Sequence, residues 1–368
     1  MCATNGRSLS NFRGTLIREW VNKGYEVTCT SIEPIEEMQP IMDSLGASYI
    51  QIPGDRTGIG IYTGLRMIRN YKKLFTEYKP DMCFLYMSKP IAFGGIAAVL
   101  SSVTHINILV NGLENAYYRT GIKDFLIRCV MSTFYRIVSR FADNVFFQNS
   151  DDLNYFRKHH LLSKDNASIV HGSGVDMDYF CREPPPEVPV ILMVARLLWS
   201  KGIREFLEAV KTISQKHKGV RVLLVGGLDH NDEALKEDEL REAIKQTNIE
   251  YCGHAEDVRP YLKECSIFVL PSYHEGLPRS VIEAMAVGRP IITTEVPGCR
   301  ETVEDGVNGY LVPAKNMKEL ADAMEKLIVS RELRARMGDA SYRICREKFE
   351  VHKVNEKMNQ KMFGPNNV

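Results

Sequence analysis

Short apolar runs alternate with longer amphipathic stretches along the chain. The runs fall at 25–30, 48–52, 82–86, 105–110, 144–147 and 168–170 in the first half. In the second half they fall at 190–195, 222–225, 249–252, 267–270 and 290–293. Runs this short and this continuously apolar predict strands buried on both faces. Between them, Ile203, Phe206, Leu207, Val210 and Ile213 share one helical face. Phe12, Leu16, Ile17, Trp20 and Val21 share another, ahead of a stop at Gly24. Strand alternating with helix predicts an α/β fold of doubly wound parallel sheets with helices on both sides.

The pattern breaks at Cys181-Arg182-Glu183-Pro184-Pro185-Pro186-Glu187. Three consecutive prolines fit neither a helix interior nor a central strand, so they predict a stiff linker. The expected division is a first domain over 1–180, a second over 181–340, and a polar helical tail over 341–368. A doubly wound domain should open with an apolar strand feeding the turn Thr4-Asn5-Gly6-Arg7-Ser8. This chain opens with a loop and a helix instead, so the first strand reads as missing. A nucleotide-linked ligand is expected between the two domains, at the carboxyl ends of their strands.

Composition narrows the choice. The chain has 368 residues, 44% hydrophobic and 25% charged, with 47 Lys plus Arg against 46 Asp plus Glu. Those proportions exclude a disordered chain and a disulfide mini-scaffold. A net charge of +1 argues against a phosphate-coating nucleic-acid binder. The nine cysteines are dispersed, with no CxxC pair, and read as reduced thiols of a cytoplasmic protein. No signal peptide is written at the start. The least charged stretch, 90–111, predicts a small-residue helix followed by a buried strand, not a membrane span. Charge is uneven, however: residues 56–140 hold twelve Lys plus Arg against four acids, a net +8. Within them, 121–141 is a basic amphipathic pattern, read either as an ordinary helix with a wet basic face or as a surface for anionic lipid headgroups.

The densest candidate chemistry is Ser272-Tyr273-His274-Glu275-Gly276-Leu277-Pro278-Arg279-Ser280-Val281-Ile282-Glu283-Ala284-Met285-Ala286. It follows a buried strand and opens a helix near Pro278. A strand, a glycine loop and a helix amino end together suit an anionic diphosphate. Glu275 and Glu283 straddle the helix start and can address two ends of one bound molecule. This segment resembles the E-x7-E signature of the family 4 glycosyltransferases. Further matching segments follow in order: Val194-Ala195-Arg196-Leu197-Leu198-Trp199-Ser200-Lys201-Gly202, Leu224-Val225-Gly226-Gly227, and the run from Pro297-Gly298-Cys299-Arg300-Glu301 to Gly309-Tyr310-Leu311-Val312. The nearest group within that resemblance is the bacterial N-acetylhexosaminyltransferases that extend undecaprenyl-diphosphate-linked sugars, the N-acetylgalactosaminyltransferases among them.

The resemblance implies the GT-B fold, two facing Rossmann-like domains with a cleft between them. It implies a retaining transferase that moves a sugar, an N-acetylhexosamine by type, from a UDP-sugar to a lipid-diphosphate-linked glycan. The products it points to are surface polysaccharides such as capsule, O-antigen, lipopolysaccharide or exopolysaccharide. The enzyme would work in the cytoplasm, peripherally on the inner face of the membrane, with no cofactor, metal or nucleic acid. By the resemblance Arg196 and Lys201 clamp the donor diphosphate, and two cations can offset phosphate charge without a metal. Glu283 holds the ribose, while Glu275, Gly276 and Leu277 hold the donor sugar and phosphates. Gly253 and His254 lie where the uracil is bound, and Gly6 lets its loop approach the diphosphate. Arg196, Lys201 and Glu275 are the catalytic candidates.

On the acceptor side the candidates are Arg13, Asn111, Glu114 and Tyr118. The His–Asp pair common in the family is absent from Val110-Asn111-Gly112-Leu113-Glu114-Asn115. Two patterns are read as decoys. Asp176-Met177-Asp178 spells a metal-binding DxD at the wrong place, and the glycines of 58–64 have the wrong spacing for a dinucleotide loop. The competing readings are a UDP-N-acetylhexosamine 2-epimerase of the same fold and a non-catalytic sugar-nucleotide-binding scaffold.

Overall fold

Twelve strands form among the described residues of the computed structural model, which are 1–54, 60–113, 117–118, 120–229 and 234–364. All their pairings are parallel. The chain divides into two units, Met1–Ser173 with Val354–Val368, and Gly174–Lys353.

In the first unit β1 (Thr28–Ser31) pairs with β2 (Ser48–Gln51). A separate sheet runs in the order β3 (Met82–Tyr86), β4 (His105–Val110), β5 (Asn144–Phe147) and β6 (Ala167–Ile169). The strand expected to be missing is present as a stub. Cys2 forms parallel bridges to both Thr30 of β1 and Leu85 of β3. Its N–H donates to Phe84 O at 2.9 Å, and the Ala3 N–H donates to Thr30 O at 2.9 Å. One residue thus links two sheets that a full strand would have merged. At the amino ends of β1 and β3 lies a cavity of about 620 Å³ bounded by Met1, Thr28, Met82, Trp20 and Phe75 among others.

The second unit holds one six-stranded sheet. Its strands are β7 (Val190–Val194), β8 (Arg221–Val225), β9 (Ile249–Gly253), β10 (Ile267–Leu270), β11 (Ile291–Thr294) and β12 (Gly309–Val312). Their spatial order is β12-β11-β10-β7-β8-β9. Ile191, Leu192, Met193, Phe268, Val269 and Ile292 are all fully buried between the two helix layers, as uninterrupted apolar runs require. β12 is the strand that the apolar runs did not announce: it opens on glycine and only three residues follow, too few for a period to register.

Three expectations about organisation change. The units part at Ser173 and Gly174, ahead of the proline run. That run belongs to the second unit, where Arg289 donates to Glu183 O at 2.8 Å and Arg334 donates to Glu187 O at 3.2 Å. The segment from 341 is not a separate tail. Helix Arg331–Ile344 stays in the second unit, whereas the residues of helix Val351–Phe363 from Val354 onward join the first. There Val354 and Met358 are buried, Trp20 Nε1 donates to Asn359 Oδ1 at 2.8 Å, and Phe363 stacks on Tyr25 at 4.8 Å. The uncharged stretch forms Pro90–Gly94, helix Gly95–Leu100 and then β4. No helix among the described residues is long and apolar enough to cross a membrane.

Candidate functional site

The second sheet changes winding direction between β7 and β10. From β7 the chain proceeds outward through β8 and β9, then returns to β10 and runs out the other way. The crevice beyond the carboxyl ends at such a switch point is the general ligand site of open α/β sheets. Two segments meet there. After β7 the chain makes a short turn, Trp199–Lys201, then helix Ile203–Lys216. Gly202 joins them at φ 72, and a Cβ there would sit 2.0 Å from Pro271 O, so only glycine lets this turn lie against the end of β10.

That contact delivers Lys201 to Glu275. Nζ donates to Oε1 at 2.6 Å, and Ser272 Oγ donates to the same oxygen at 2.8 Å. Both charged side chains are largely buried, at 21% and 14% exposure. The carboxylate loop is fixed from behind. Glu275 N–H donates to Pro297 O at 3.1 Å, and a Cβ on Gly298 (φ 76) would fall 2.3 Å from Glu275 O. Tyr273 OH donates to both oxygens of the buried Glu205 at 2.9 Å, and burial, reinforced by that carboxylate, pushes the phenol up.

Helix Arg279–Ala286 begins just beyond. Its Glu283 carboxylate accepts from Arg279 Nε at 2.7 Å, one turn back. Burial raises the Glu283 carboxyl, and Arg279 opposes that shift. Arg279 also donates to Gly174 O at 2.8 Å. Arg196 is exposed, with its guanidinium 3.5 Å from Asp229 Oδ2. Gly253 ends β9 in the left-handed region, and His254 follows it, exposed, its Cβ in contact range of Gly227. Gly276 and Leu277 complete the loop ahead of the helix, with Leu277 packed partly on the core. Arg196, Lys201, Gly253, His254, Glu275, Gly276 and Leu277 therefore all follow strand ends on one edge of one sheet, and Glu283 lies on the helix behind them.

The first-unit candidates are placed differently. Arg13 is 1% exposed inside helix Arg7–Asn22, its guanidinium 5.8 Å from the Tyr86 ring centroid, and not at a helix-start surface. Gly6 donates its N–H to Glu33 Oε2 at 2.8 Å, and a Cβ there would meet two side-chain ends, Met38 Sδ and Ser31 Oγ, at 2.7 Å. Asn111 Oδ1 accepts the Met87 N–H at 3.1 Å and ties the ends of β3 and β4 together. Tyr118 OH points at Asp152 Oδ1, 3.5 Å away, and burial raises the phenol with help from that acid. Glu114 lies outside the described residues. Of the two decoys, Asp176 Oδ1 accepts the N–H groups of Asp178 and Tyr179 at 3.0 Å each and shapes a turn. Residues 55–59, with Gly58, lie outside the described residues, and Gly64 packs on Phe93.

Sequence reasoning missed Ser272, Arg279 and the Tyr273–Glu205 pair at this site, and the buried Asp152 of the first unit. Ser272, three residues before Glu275, and Arg279, four before Glu283, stand at spacings that bring side chains together on a turn or a helix. Tyr273 with Glu205 joins distant segments and left no local signal. Asp152 sits in the first turn of helix Ser150–Lys158, after β5, where Asn149 Nδ2 donates to it at 2.9 Å. Burial pushes its carboxyl up to about 6.

Comparison with known proteins bears on family and fold. Residues 181–344 match the family model described as glycosyl transferases group 1, and residues 8–149 match that of glycosyl transferase 4-like proteins. A capsular polysaccharide biosynthesis glycosyltransferase of Staphylococcus aureus is 30% identical over 314 residues, 82% of this chain and 81% of that one. The N,N'-diacetylbacillosaminyl-diphospho-undecaprenol alpha-1,3-N-acetylgalactosaminyltransferase of Campylobacter jejuni is 28% identical over 348 residues, 90% of each chain. In fold, a Rickettsia africae glycosyltransferase superposes with a TM-score of 0.78 at 18% identity, over 99% of this chain and 98% of the other. HepE of Anabaena, solved with UDP and glucose, gives 0.74 at 18% identity, over 98% and 97%.

Proposed function

This chain belongs to the group 1, family 4-like glycosyltransferases of GT-B fold, and from that premise we propose that it transfers an N-acetylhexosamine from a UDP-sugar to an undecaprenyl-diphosphate-linked glycan. The product would enter a surface polysaccharide, and the enzyme would work at the inner face of the membrane. The contact between Lys201 and Glu275 across the switch point is the observation that supports this most. It puts a cation and a carboxylate side by side at strand ends of the kind suited to a diphosphate.

In this reading Lys201 and Arg196 exchange their carboxylate partners for the donor diphosphate. Their charge, with the amino end of helix Arg279–Ala286, stabilises the leaving UDP as the anomeric carbon–oxygen bond breaks. The acceptor oxygen bonds to that carbon on the same face, and its proton passes to the departing phosphate. Glu275 and the amides of Gly276 and Leu277 orient the sugar and phosphates. Glu283, exchanging Arg279 for hydroxyl donors, holds the ribose, and Gly253 and His254 flank the uracil. Glu275 is not a covalent nucleophile here, because attack by the acceptor on the face the diphosphate leaves keeps the configuration without the double displacement of retaining hydrolases. Two cations at the diphosphate make a metal unnecessary.

A panel of UDP-sugars incubated with lipid-diphosphate acceptors, scored by released UDP, tests the proposal. An N-acetylhexosamine donor should give turnover, with EDTA changing the rate by less than about twofold. Release from no donor on the panel, or a tenfold loss with chelator, would overturn the corresponding part. The Campylobacter jejuni relative's own named acceptor is the first to try.

A further inference from the structure

Helix Ile122–Phe141 carries apolar residues on both of its sides. Its inner side is ordinary: Met131, Tyr135 and Val138 are buried in the first unit, and Phe134 meets Phe93 edge-on at 5.5 Å. The outer side is not. Ile122 is 84% exposed, Phe125 54%, Leu126 57%, Val130 51%, Ile137 40% and Phe141 49%. At 100° per residue, Ile122, Leu126, Val130, Ile137 and Phe141 fall within an arc of about 100°, a ridge roughly 30 Å long. A helix apolar all round is normally covered on every side, and an exposed apolar ridge, here interrupted by the exposed Thr133 between Val130 and Ile137, marks an interaction surface.

The charges beside the ridge say what covers it. The helix carries Lys123, Arg128, Arg136 and Arg140 against the single acid Asp124. Arg128 lies 5.9 Å from the Phe125 ring centroid, and Arg136 is tied to the carbonyls of His159 and His160. Helix Ile61–Tyr78 also packs on the 90–100 segment and carries Arg66, Arg69, Lys72 and Lys73, with Tyr62 and Leu65 exposed at its start. Leu100, at the end of the intervening segment, is 58% exposed. Among the described residues, Lys123, Arg140, Arg66, Arg69, Lys72 and Lys73 form no ion pair. Protein interfaces are depleted of lysine, whereas a bilayer surface takes an apolar ridge among acyl chains and leaves flanking cations at the headgroups.

We propose that helix Ile122–Phe141 lies in the interface of an anionic lipid bilayer, its ridge among the acyl chains and its cations, with those of helix Ile61–Tyr78, on the headgroups. This deepens the membrane part of the reading above, yet its test needs neither donor nor acceptor, so the two fail separately. The full chain is floated with vesicles of phosphatidylcholine, alone or mixed with phosphatidylglycerol, at low and high salt. Binding is expected to the mixed vesicles, weakened by salt and weak on phosphatidylcholine alone. Leu126→Glu with Val130→Glu should lower the bound fraction about tenfold while thermal melting stays unchanged. Should that pair fail to fold, Ile122→Glu, at the most exposed position, tests the same ridge. Wild-type protein that ignores the anionic vesicles, or variants that bind as well as wild type, would overturn the proposal. So would a dimer, seen by sedimentation without vesicle binding and dissolved by the same variants, which would assign the ridge to a second copy of the chain.

Discussion

At its strand ends the second unit sets cation directly against carboxylate, Lys201 on Glu275 and, one turn into the next helix, Arg279 on Glu283. At its own, the first unit shows Asn111 bonded to the Met87 amide, while near its start Gly6 is bonded to Glu33 and Arg13 is sealed in the core. The contrast separates two kinds of polar residue. Ion pairs at a sheet edge can trade partners with a charged ligand. Groups that complete their own scaffold cannot do so without loosening it. The second unit therefore carries the ion pairs that a charged ligand could exchange. The first shows its excess of cations on two helices.

The largest effect expected to sharpen this contrast is kinetic. Glu275→Ala and Lys201→Ala should each lower the transfer rate by about 10²–10³ with little change in melting temperature. A comparable loss from Asn111→Ala in a protein of unchanged stability would break the comparison. Next comes Arg13→Ala, which should lower unfolding free energy by about 2–4 kcal/mol in urea titrations and barely alter the turnover of the folded fraction. If stability holds and acceptor KM rises instead, Arg13 belongs to the site after all.

A third effect is pH-dependent. Burial lifts the Asp152 carboxyl from 3.8 to about 6, so the folded chain holds that proton more tightly than the unfolded one. Its contribution is most favourable below pH 4, declines as pH rises to about 6 and is level above, a change of up to about 3 kcal/mol. Asp152→Asn keeps the bond from Asn149 in prospect and should flatten that slope in melts taken from pH 4 to 7; an unchanged slope assigns it to another group. The smallest effect falls on Glu283. Glu283→Gln should raise KM for the UDP-sugar about tenfold at nearly constant kcat, and an altered kcat alone would remove the ribose assignment.

Most of the second unit is legible in the sequence. Apart from β12 its strands coincide with short apolar runs, and its candidate site residues sit in short segments directly after them, where topology sends the loops to one edge. The pairing of Glu275 with Glu283 was visible as spacing along the chain. Arg279 on Glu283 was equally local and was overlooked, because an arginine at a helix start reads as surface. The first unit resisted. Arg13 looks like an exposed polar position until Tyr86 and the core close over it, and no short-range pattern reports that.

What the chain determined by itself was local: which segments are strands, which face of each helix is apolar, and which loops carry glycine, carboxylate and cation together. Those properties follow from backbone propensity and the periods of 2 and 3.6 residues, which act over a few positions. Tertiary structure alone decided that residues 1–3 stand in for a whole strand, that the last helix joins the first unit, and that the ridge from Ile122 to Phe141 faces outward. Each of these depends on which distant surface covers a given side chain, and burial is a property of the packed whole.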